Sequence, residues 1–352
     1  MSKSKRFKFI SVIFFVGVIT IISACGGCGG NDRSTPIIST PESETPIEQV
    51  KKENPIRRFD LDLTAIAPSN LADTALLVKK YPEFYPIYFD RLMRIKRNAP
   101  NFPKEIIAFL NDAQVKDVFA TCRKEFTDLS GEEVEILKAL SRYQFHFPDS
   151  SLPSLLAFVC GFQYNIINTD RDLCIGLEMY LGSDCKYYPL VQFPDYKVAN
   201  MRREMMVPDA IKGFLMGNYD LIAKDLLDQI IFYGKIMYAQ AVLLPDLPEH
   251  VRFGYSKQQW DWCIKNEINI WTHFVDQKLL YSTDFKDEVK YINDGPFTPG
   301  LAPEAPGRIG IWLGYRIVSQ FVKNKGVTSL SDLFSIADQR IIFQQSKYKP
   351  LK

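Results

Sequence analysis

The sequence contains little histidine and no recognisable set of metal ligands. The three histidines of the 352 residues are His146, His250 and His273, and no two of them are four residues apart, as in the His-Glu-x-x-His helix of zinc peptidases. A catalytic zinc ion needs about three protein ligands and an open position. We therefore expect no metal cofactor, and we interpret each histidine as an ordinary surface or core residue.

Other signatures of catalysis are also missing. There is no glycine-rich phosphate loop, no Gly-x-Ser-x-Gly turn and no Cys/His nucleophile arrangement. The charges nearly cancel, with 43 Lys and Arg against 41 Asp and Glu, so no basic surface for nucleic acid is indicated. We predict a protein that is not an enzyme and does not bind nucleic acid.

What is present is a strong N-terminal signal. Basic residues within positions 3–8 precede the uncharged run 9–22, which is too short to span a bilayer and is typical of a signal-peptide core. Ile22-Ser23-Ala24-Cys25 resembles a bacterial lipobox. It predicts that residues 1–24 are removed and that Cys25 carries diacylglycerol and an N-acyl chain such as palmitate. The alternative is an ordinary secretory signal with a chance cysteine.

The residues after the lipobox predict a tether. Two or three acyl chains would anchor Cys25 stably in a membrane. Residues 25–55 are rich in Gly, Thr, Ser, Pro and Glu, which favours a disordered segment with a reach on the order of 30 Å. The single globular domain 56–352 would then lie in the periplasm, beside an inner or outer membrane that the sequence does not distinguish.

The remaining cysteines leave two alternatives open. These six are Cys28, Cys122, Cys160, Cys174, Cys185 and Cys263. An even number in an oxidising compartment permits disulfides, with Cys174 and Cys185 the most plausible pair by proximity. Cys160, Cys174 and Cys263 lie in apolar runs, where free buried cysteine is equally typical.

The pattern of apolar residues predicts a mainly helical α+β fold. Residues 56–150 are predicted to be helical, with a capping box at Ser130-Gly-Glu-Glu133. Short apolar runs within 154–182 predict a small sheet packed on long helices. Residues 200–352 are predicted to be a helical core, which includes one helix over 219–243.

A second core helix is predicted over Lys257–Phe274. Trp260, Ile264, Glu267 and Trp271 recur at helical spacing and predict one continuous face. Glu267 would lie on this apolar face, where a carboxylate needs a partner or a raised pKa.

Several motifs together resemble the gliding-motility lipoprotein GldB family of Bacteroidetes, and the resemblance covers nearly all of residues 55–350. These are Arg57-Arg-Phe-Asp60, Gly176-Leu-Glu-Met-Tyr-Leu-Gly182, Ile230-Ile-Phe-Tyr-Gly-Lys235, Asn266-Glu267, Leu280-Tyr-Ser282, Pro306-Gly-Arg-Ile-Gly-Ile-Trp-Leu-Gly-Tyr315 and Ser346-Lys-Tyr-Lys-Pro350. The resemblance implies a cell-envelope lipoprotein that is needed for gliding, a process linked to type IX secretion.

A weaker resemblance is to predicted zinc peptidases of the zincin type, which implies a degenerate zincin-like architecture. Gln229, Ile230 and Tyr233 stand where the metal ligands and the general base would be, and Glu267 remains. One hypothesis is that Lys235 and Glu267 form an ion pair in place of the metal. The alternative is that Lys235 extends to solvent and Glu267 bonds to backbone or to a tyrosine.

The same interpretation predicts a set of residues around this former cleft. They are Gln229, Tyr233, Trp260, Trp271, Arg308, Trp312 and Tyr315. Gly310 and Gly314 would let a neighbouring helix approach closely, and loop 293–306 would act as a lid or as a connection.

The predicted function is non-catalytic and depends on other gliding or type IX secretion proteins. One alternative is an envelope peptidase-like hydrolase or a peptide-binding protein that uses the cleft around Glu267. A third hypothesis is a structural component of the secretion machinery.

Overall fold

In a computed structural model of the chain, the described residues are 38, 55–66 and 73–350. The predicted signal peptide, the predicted lipidation site Cys25, Cys28 and all of the predicted tether except Ile38 and Pro55 lie outside these residues. Within the described part of the chain, no helix combines the length and the apolar character needed to cross a membrane.

Four strands and a series of helices make up the described domain. The strands are β1 (Arg57–Arg58), β2 (Ser154–Phe158), β3 (Ile166–Asn168) and β4 (Asp172–Gly176). The α-helices are α1 (Phe59–Thr64), α2 (Asp73–Lys80), α3 (Phe84–Pro86), α4 (Phe102–Asn111), α5 (Ala113–Glu125), α6 (Ser130–His146), α7 (Asp195–Val198), α8 (Met206–Asn218), α9 (Leu226–Leu243), α10 (Glu249–Phe253), α11 (Lys257–Lys265), α12 (Glu267–Asp276), α13 (Phe285–Ile292), α14 (Ile309–Lys325), α15 (Leu330–Ser335) and α16 (Gln339–Ser346). A π-helix (Ile87–Leu92) and 3₁₀ turns (Leu177–Tyr180, Arg203–Met205, Leu279–Tyr281) complete the set. The predicted mainly helical α+β class is confirmed.

The sheet is mixed, in the order β1-β2-β4-β3. β1 and β4 both run parallel to β2, whereas β3 pairs antiparallel with β4 through a short turn. Sequence patterns indicated the regions of β2, β3 and β4. They missed β1, because a strand of two residues is too short to show alternation.

α9 and α14 form the centre of the domain. α9 is buried along nearly its whole length, because apolar side chains surround it on all sides. The two helices cross at Gly234 and Gly314, where a Cβ added to Gly314 would lie 1.9 Å from the carbonyl oxygen of Ile230. A Cβ added to Gly310 would lie 2.9 Å from the carbonyl oxygen of Tyr291. The predicted close packing at these glycines is confirmed.

The single helix predicted over Lys257–Phe274 is wrong. It is divided into α11 and α12 at Asn266, which has φ −105° and ψ 15°. The Asn266 side chain donates to the carbonyl of Trp262 at 2.9 Å, a local bond that competes with continuation of the helix. Glu267 is therefore the first residue of a new helix.

The capping box predicted at Ser130 is also wrong, although α6 begins there. The N-cap residue Leu129 makes no side-chain cap, and Asp128 accepts from the backbone N–H of Ser130 at 2.8 Å. Glu133 instead accepts a hydrogen bond from the backbone N–H of Ile56 at 2.6 Å. A capping box does occur at the start of α11, between Ser256 and Gln259. The difference arises because Glu133 fixes the first strand against α6.

Ile38 is the one described residue in the interior of the predicted tether. It lies inside 25–55 but is 3% exposed and belongs to the hydrophobic core. Its backbone N–H donates to the hydroxyl of Tyr238 on α9 at 3.4 Å. A composition averaged over thirty residues does not reveal the burial of a single side chain.

All five cysteines in the described residues are free, so the disulfide considered for Cys174 and Cys185 is wrong. Cys174 lies in β4 and is fully buried, and burial raises the pKa of its thiol well above the usual range. The alternative of free buried cysteine is the one the structure supports.

Candidate functional site

Glu267, the residue at the centre of the predicted cleft, is bound on both carboxylate oxygens. Arg316 of α14 contributes Nε at 2.9 Å from Oε1 and Nη2 at 3.3 Å from Oε2. The Tyr348 hydroxyl donates to Oε1 at 2.7 Å. The side chains of Arg316 and Glu267 are only 8% and 14% exposed. These three residues form an ion pair with a hydroxyl donor, here called the Glu267 cluster.

The C-terminal segment closes this cluster. After α16 the chain turns at Lys347, which has φ 48°, and places Tyr348 over α12. Trp271 packs against the Tyr348 ring with centroids 5.3 Å apart. Burial, and then the charge of Glu267, raise the pKa of the Tyr348 hydroxyl, so it remains a donor. Residues far apart in sequence thus satisfy Glu267 inside the fold.

Lys235 does not take part, and the predicted Lys235–Glu267 ion pair is wrong. The Lys235 ammonium donates to the carbonyl of Ile336 at 3.1 Å and lies 5.0 Å from the ring centroid of Phe334. Lys235 is 4% exposed, and burial lowers its pKa to about 8. The alternative is half right, since Glu267 does bond to a tyrosine, but Lys235 does not reach solvent.

Most of the other residues predicted around the cleft are core residues. Trp312 and Tyr315 are completely buried, and Trp260 packs against both, with each ring-centroid separation 6.5 Å. Gln229 and Tyr233 occupy the two half-buried positions of α9. These aromatic residues therefore pack the domain together, because apolar rings at helical spacing are buried by the neighbouring helices.

A large cavity lies elsewhere, with a volume of about 1110 Å³. It lies beside α8 and the edge strand β3, and its other walls come from residues 193–205, 252–259 and 294–308. Of the residues predicted to line a cleft, Arg308 alone lines this cavity. Glu267 does not line it.

Arg308 and the loop 293–306 form one wall of the cavity, and hydrogen bonds and an ion pair hold this wall in place. Arg308 Nε lies 2.7 Å from Asp294 Oδ1, and Nη2 donates to the carbonyl of Phe253 at 2.6 Å. Thr298 is fully buried and bonds to Ala305 and Pro306 within the loop. The guanidinium of Arg308 is therefore occupied by the protein.

Asp209 and Lys212, two charged residues of α8, line the cavity and differ in their hydrogen-bond partners. The Asp209 carboxylate accepts hydrogen bonds from the Tyr180 hydroxyl at 3.1 Å and from the Asn165 amide at 3.3 Å, both neutral donors. Burial raises the pKa of Asp209, although Lys212 opposes this. Within the described residues Lys212 makes no hydrogen bond or ion pair, and burial followed by repulsion from Arg308 lowers its pKa.

Sequence reasoning missed Asp209 and Lys212. The available signal was a pair of opposite charges one helical turn apart on a helix that is otherwise mostly apolar, Met206–Asn218. Such a pair is usually a solvated surface feature, so the signal is weak until the cavity is known.

The described residues contain no group of three or more His, Cys, Asp or Glu side chains placed to hold a metal ion. Two of the histidines have hydrogen-bond partners of their own. His146 Nδ1 accepts from the backbone of Leu330 at 3.4 Å, and His273 Nε2 lies 2.8 Å from the Tyr291 hydroxyl.

These features define a mainly helical α+β protein with a small mixed sheet, a sealed ion pair in its core and a separate polar cavity. The family model of the gliding motility protein GldB matches residues 40–350, so the chain belongs to the GldB family. No curated protein and no solved structure matches the chain. Family membership relates the protein to gliding motility.

Proposed function

We propose that the chain is a lipoprotein of the gliding apparatus that is anchored through Cys25 and acts by binding other proteins, without catalysis. Family membership supports the link to gliding. The basic leader and Ile22-Ser-Ala-Cys25 support the lipid anchor and a periplasmic location for the folded domain. Its partners would be proteins of the gliding or type IX secretion machinery.

The Glu267 cluster is the observation that carries the non-catalytic role. A carboxylate that acts as a general base or metal ligand must present an oxygen to substrate, water or metal. Both oxygens of Glu267 are instead bound by Arg316 and Tyr348, and the side chain is nearly buried. This arrangement is typical of a structural ion pair.

The anchor and Ile38 together limit the position of the domain. If Cys25 carries the lipid and Ile38 is buried in the core, thirteen residue steps join them. A fully extended chain of this length spans at most about 45 Å. The domain would therefore work close to the membrane surface that holds the anchor.

The experiment replaces the chromosomal gene with the double variant Glu267→Leu/Arg316→Met. A buried ion pair can be exchanged for apolar residues of similar volume with little loss of stability, so we expect the protein to accumulate and cells to glide. Colony spreading and gliding of single cells are measured beside an immunoblot. Normal protein amounts with no gliding would overturn the non-catalytic role of Glu267.

Two further measurements separate the alternatives. Cys25→Ala should release the protein from the membrane fraction, and retention there would contradict the anchor. Metal analysis and a casein cleavage assay on purified protein test the hydrolase hypothesis, which stoichiometric zinc and activity abolished by Glu267→Ala would establish. A pull-down that recovers gliding or type IX proteins after mutation of Glu267 would support a structural role in that machinery.

A further inference from the structure

The charged residues that line the large cavity are not all neutralised by the protein. Arg308 pairs with Asp294, and Arg252 lies 3.9 Å from Glu249 while donating to backbone carbonyls. Among the buried and half-buried charged residues of the lining, Asp209 and Lys212 are the two without an ion pair inside the described ranges 55–66 and 73–350. They are close enough to influence each other's charge, yet no oxygen of Asp209 lies within 4.0 Å of the Lys212 ammonium.

Leaving two opposite charges separated in a recess is unfavourable. Each loses hydration, and neither gains the full attraction of a contact pair. A ligand that carries both a carboxylate and an ammonium group would complete both interactions at once. A simple anion would be repelled by the carboxylate of Asp209, and a simple cation would be repelled by the ammonium of Lys212.

The spacing of the two residues sets the size of this ligand. Residues three apart on a helix have Cβ atoms about 5–6 Å apart. The ends of an extended dipeptide are separated by about 7 Å, so its free amino end can face Asp209 while its carboxylate faces Lys212. A single peptide unit between the two charges would then lie along α8.

The rest of the cavity suits a peptide of variable side chains. Side-chain amides in the lining come from Asn165, Asn168 and Asn200. Each donates one hydrogen bond within the protein, to Asp209, Gly213 and Gly254 respectively, and an amide NH₂ group has a second N–H that can donate to a peptide carbonyl. Apolar surface comes from four methionines, Met179, Met201, Met205 and Met216. Methionine side chains are flexible and polarisable, and they adapt to ligands of different shape. The volume of about 1110 Å³ is large enough for bulky side chains or a few additional residues.

We infer that this cavity binds a short peptide with free ends, holding the carboxylate at Lys212 and the amino group at Asp209. This site goes beyond the proposed function, because that function was argued from the Glu267 cluster and the anchor. It is also tested on purified protein, so its failure and a failure of the gliding role are distinguishable.

The test measures binding of the dipeptide Leu-Phe to the full chain in detergent by isothermal titration calorimetry. Two analogues, N-acetyl-Leu-Phe and Leu-Phe-amide, each lack one charged end. We expect Leu-Phe to bind and each analogue to bind at least about tenfold more weakly, a difference typical of one lost charge interaction. Absence of binding to the wild-type protein at millimolar Leu-Phe, or equal binding of all three, would overturn the proposal.

Variants assign each end to its residue. Lys212→Met should bind Leu-Phe and its amide equally, while still preferring a free amino end. Asp209→Asn should bind Leu-Phe and its N-acetyl form equally, while still preferring a free carboxylate. Lys323→Met, a change in an exposed helical lysine outside the lining, is the matched control and should bind as wild type.

Thermal unfolding checks that each variant is folded. If Asp209→Asn does not fold, Lys212→Met alone tests the proposal. This variant should lose the preference for Leu-Phe over Leu-Phe-amide. A folded Lys212→Met variant that retains the wild-type preference for a free carboxylate would exclude Lys212 as the anchor.

Discussion

The Glu267 cluster and the cavity beside α8 differ in whether their charged side chains have charged partners. In the Glu267 cluster, partners from α14 and the C-terminal segment bind both carboxylate oxygens, while Nη1 of Arg316 is buried without a hydrogen-bond partner in the described residues. In the cavity, Asp209 receives only neutral donors and Lys212 receives no hydrogen bond or ion pair within the described chain. The difference indicates that the first site holds the fold together, whereas the second retains unsatisfied charge that a ligand can use.

Mutations in the packed core around α9 and α14 should lower the free energy of unfolding more than mutations in the cavity. The largest loss is expected where these two helices cross. Gly314→Val places a Cβ 1.9 Å from the carbonyl oxygen of Ile230, so the two helices must separate. We expect a loss of at least about 4 kcal/mol in the free energy of unfolding, above the usual range for overpacking because the obstructing atom is backbone. Urea unfolding followed by circular dichroism measures it.

Gly131→Ala is the control for this substitution. Gly131 also lies in a helix, but a Cβ added there meets nothing within 4 Å. Its free energy of unfolding should rise by up to about 1 kcal/mol, because alanine favours a helix more than glycine does. Similar losses in both variants would mean that the helix crossing is not tightly constrained.

The second prediction concerns the ion pair itself. Glu267→Ala leaves Arg316 buried without its counter-ion and should cost about 3 kcal/mol, the lower end for a buried pair because Glu267 keeps slight exposure. The double variant Glu267→Leu/Arg316→Met should regain most of that loss. Chemical denaturation of the two variants provides the comparison. A double variant as unstable as Glu267→Ala would show that Glu267 acts through something other than Arg316.

Lys235 gives a third prediction, on pH dependence. Burial lowers its pKa to about 8 from 10.5, so the unfolded chain binds more protons than the folded chain between these values. The free energy of unfolding contributed by Lys235 must therefore rise with pH in this window, by about 2 kcal/mol from pH 7 to pH 9.5. Lys235→Met should lack this rise.

The measurement is the difference in unfolding free energy between Lys235→Met and wild type at several pH values, so that ionisation of other groups cancels. Lys257→Met, in an exposed lysine that is paired with Asp261, serves as the control. A wild-type curve parallel to that of Lys235→Met would mean that the Lys235 ammonium is better solvated than its position suggests.

Sequence reasoning succeeded where the signal was local and periodic. The helix that begins at Ser130 and the close packing at Gly314 follow from residues near one another in the chain. The helix predicted over 219–243 is present but begins at Leu226. The GldB resemblance was also carried by motifs in sequence order, and the family match confirms it.

The partners of Glu267 and the position of the cavity could not be predicted from the sequence, because both depend on tertiary geometry. The sequence suggested Lys235, backbone or a tyrosine as the partner of Glu267, whereas the structure pairs Glu267 with Arg316 and Tyr348, which lie 49 and 81 residues away in the chain. The cavity needs β3, α8 and two distant loops to come together. No periodic pattern in any one of these segments contains that information.

The smallest effect is expected at Lys212, and it sharpens the comparison most directly. In the Glu267 cluster, removing one charge should destabilise the fold, because the other charge is left unpaired. Lys212 has no such partner, and burial disfavours its charged form, so Lys212→Met should leave the free energy of unfolding unchanged or raise it by up to about 1 kcal/mol. Urea unfolding of this variant beside Glu267→Ala gives the result. A loss above about 1 kcal/mol for Lys212→Met would show that the lysine supports the fold, and the distinction between the two sites would then disappear.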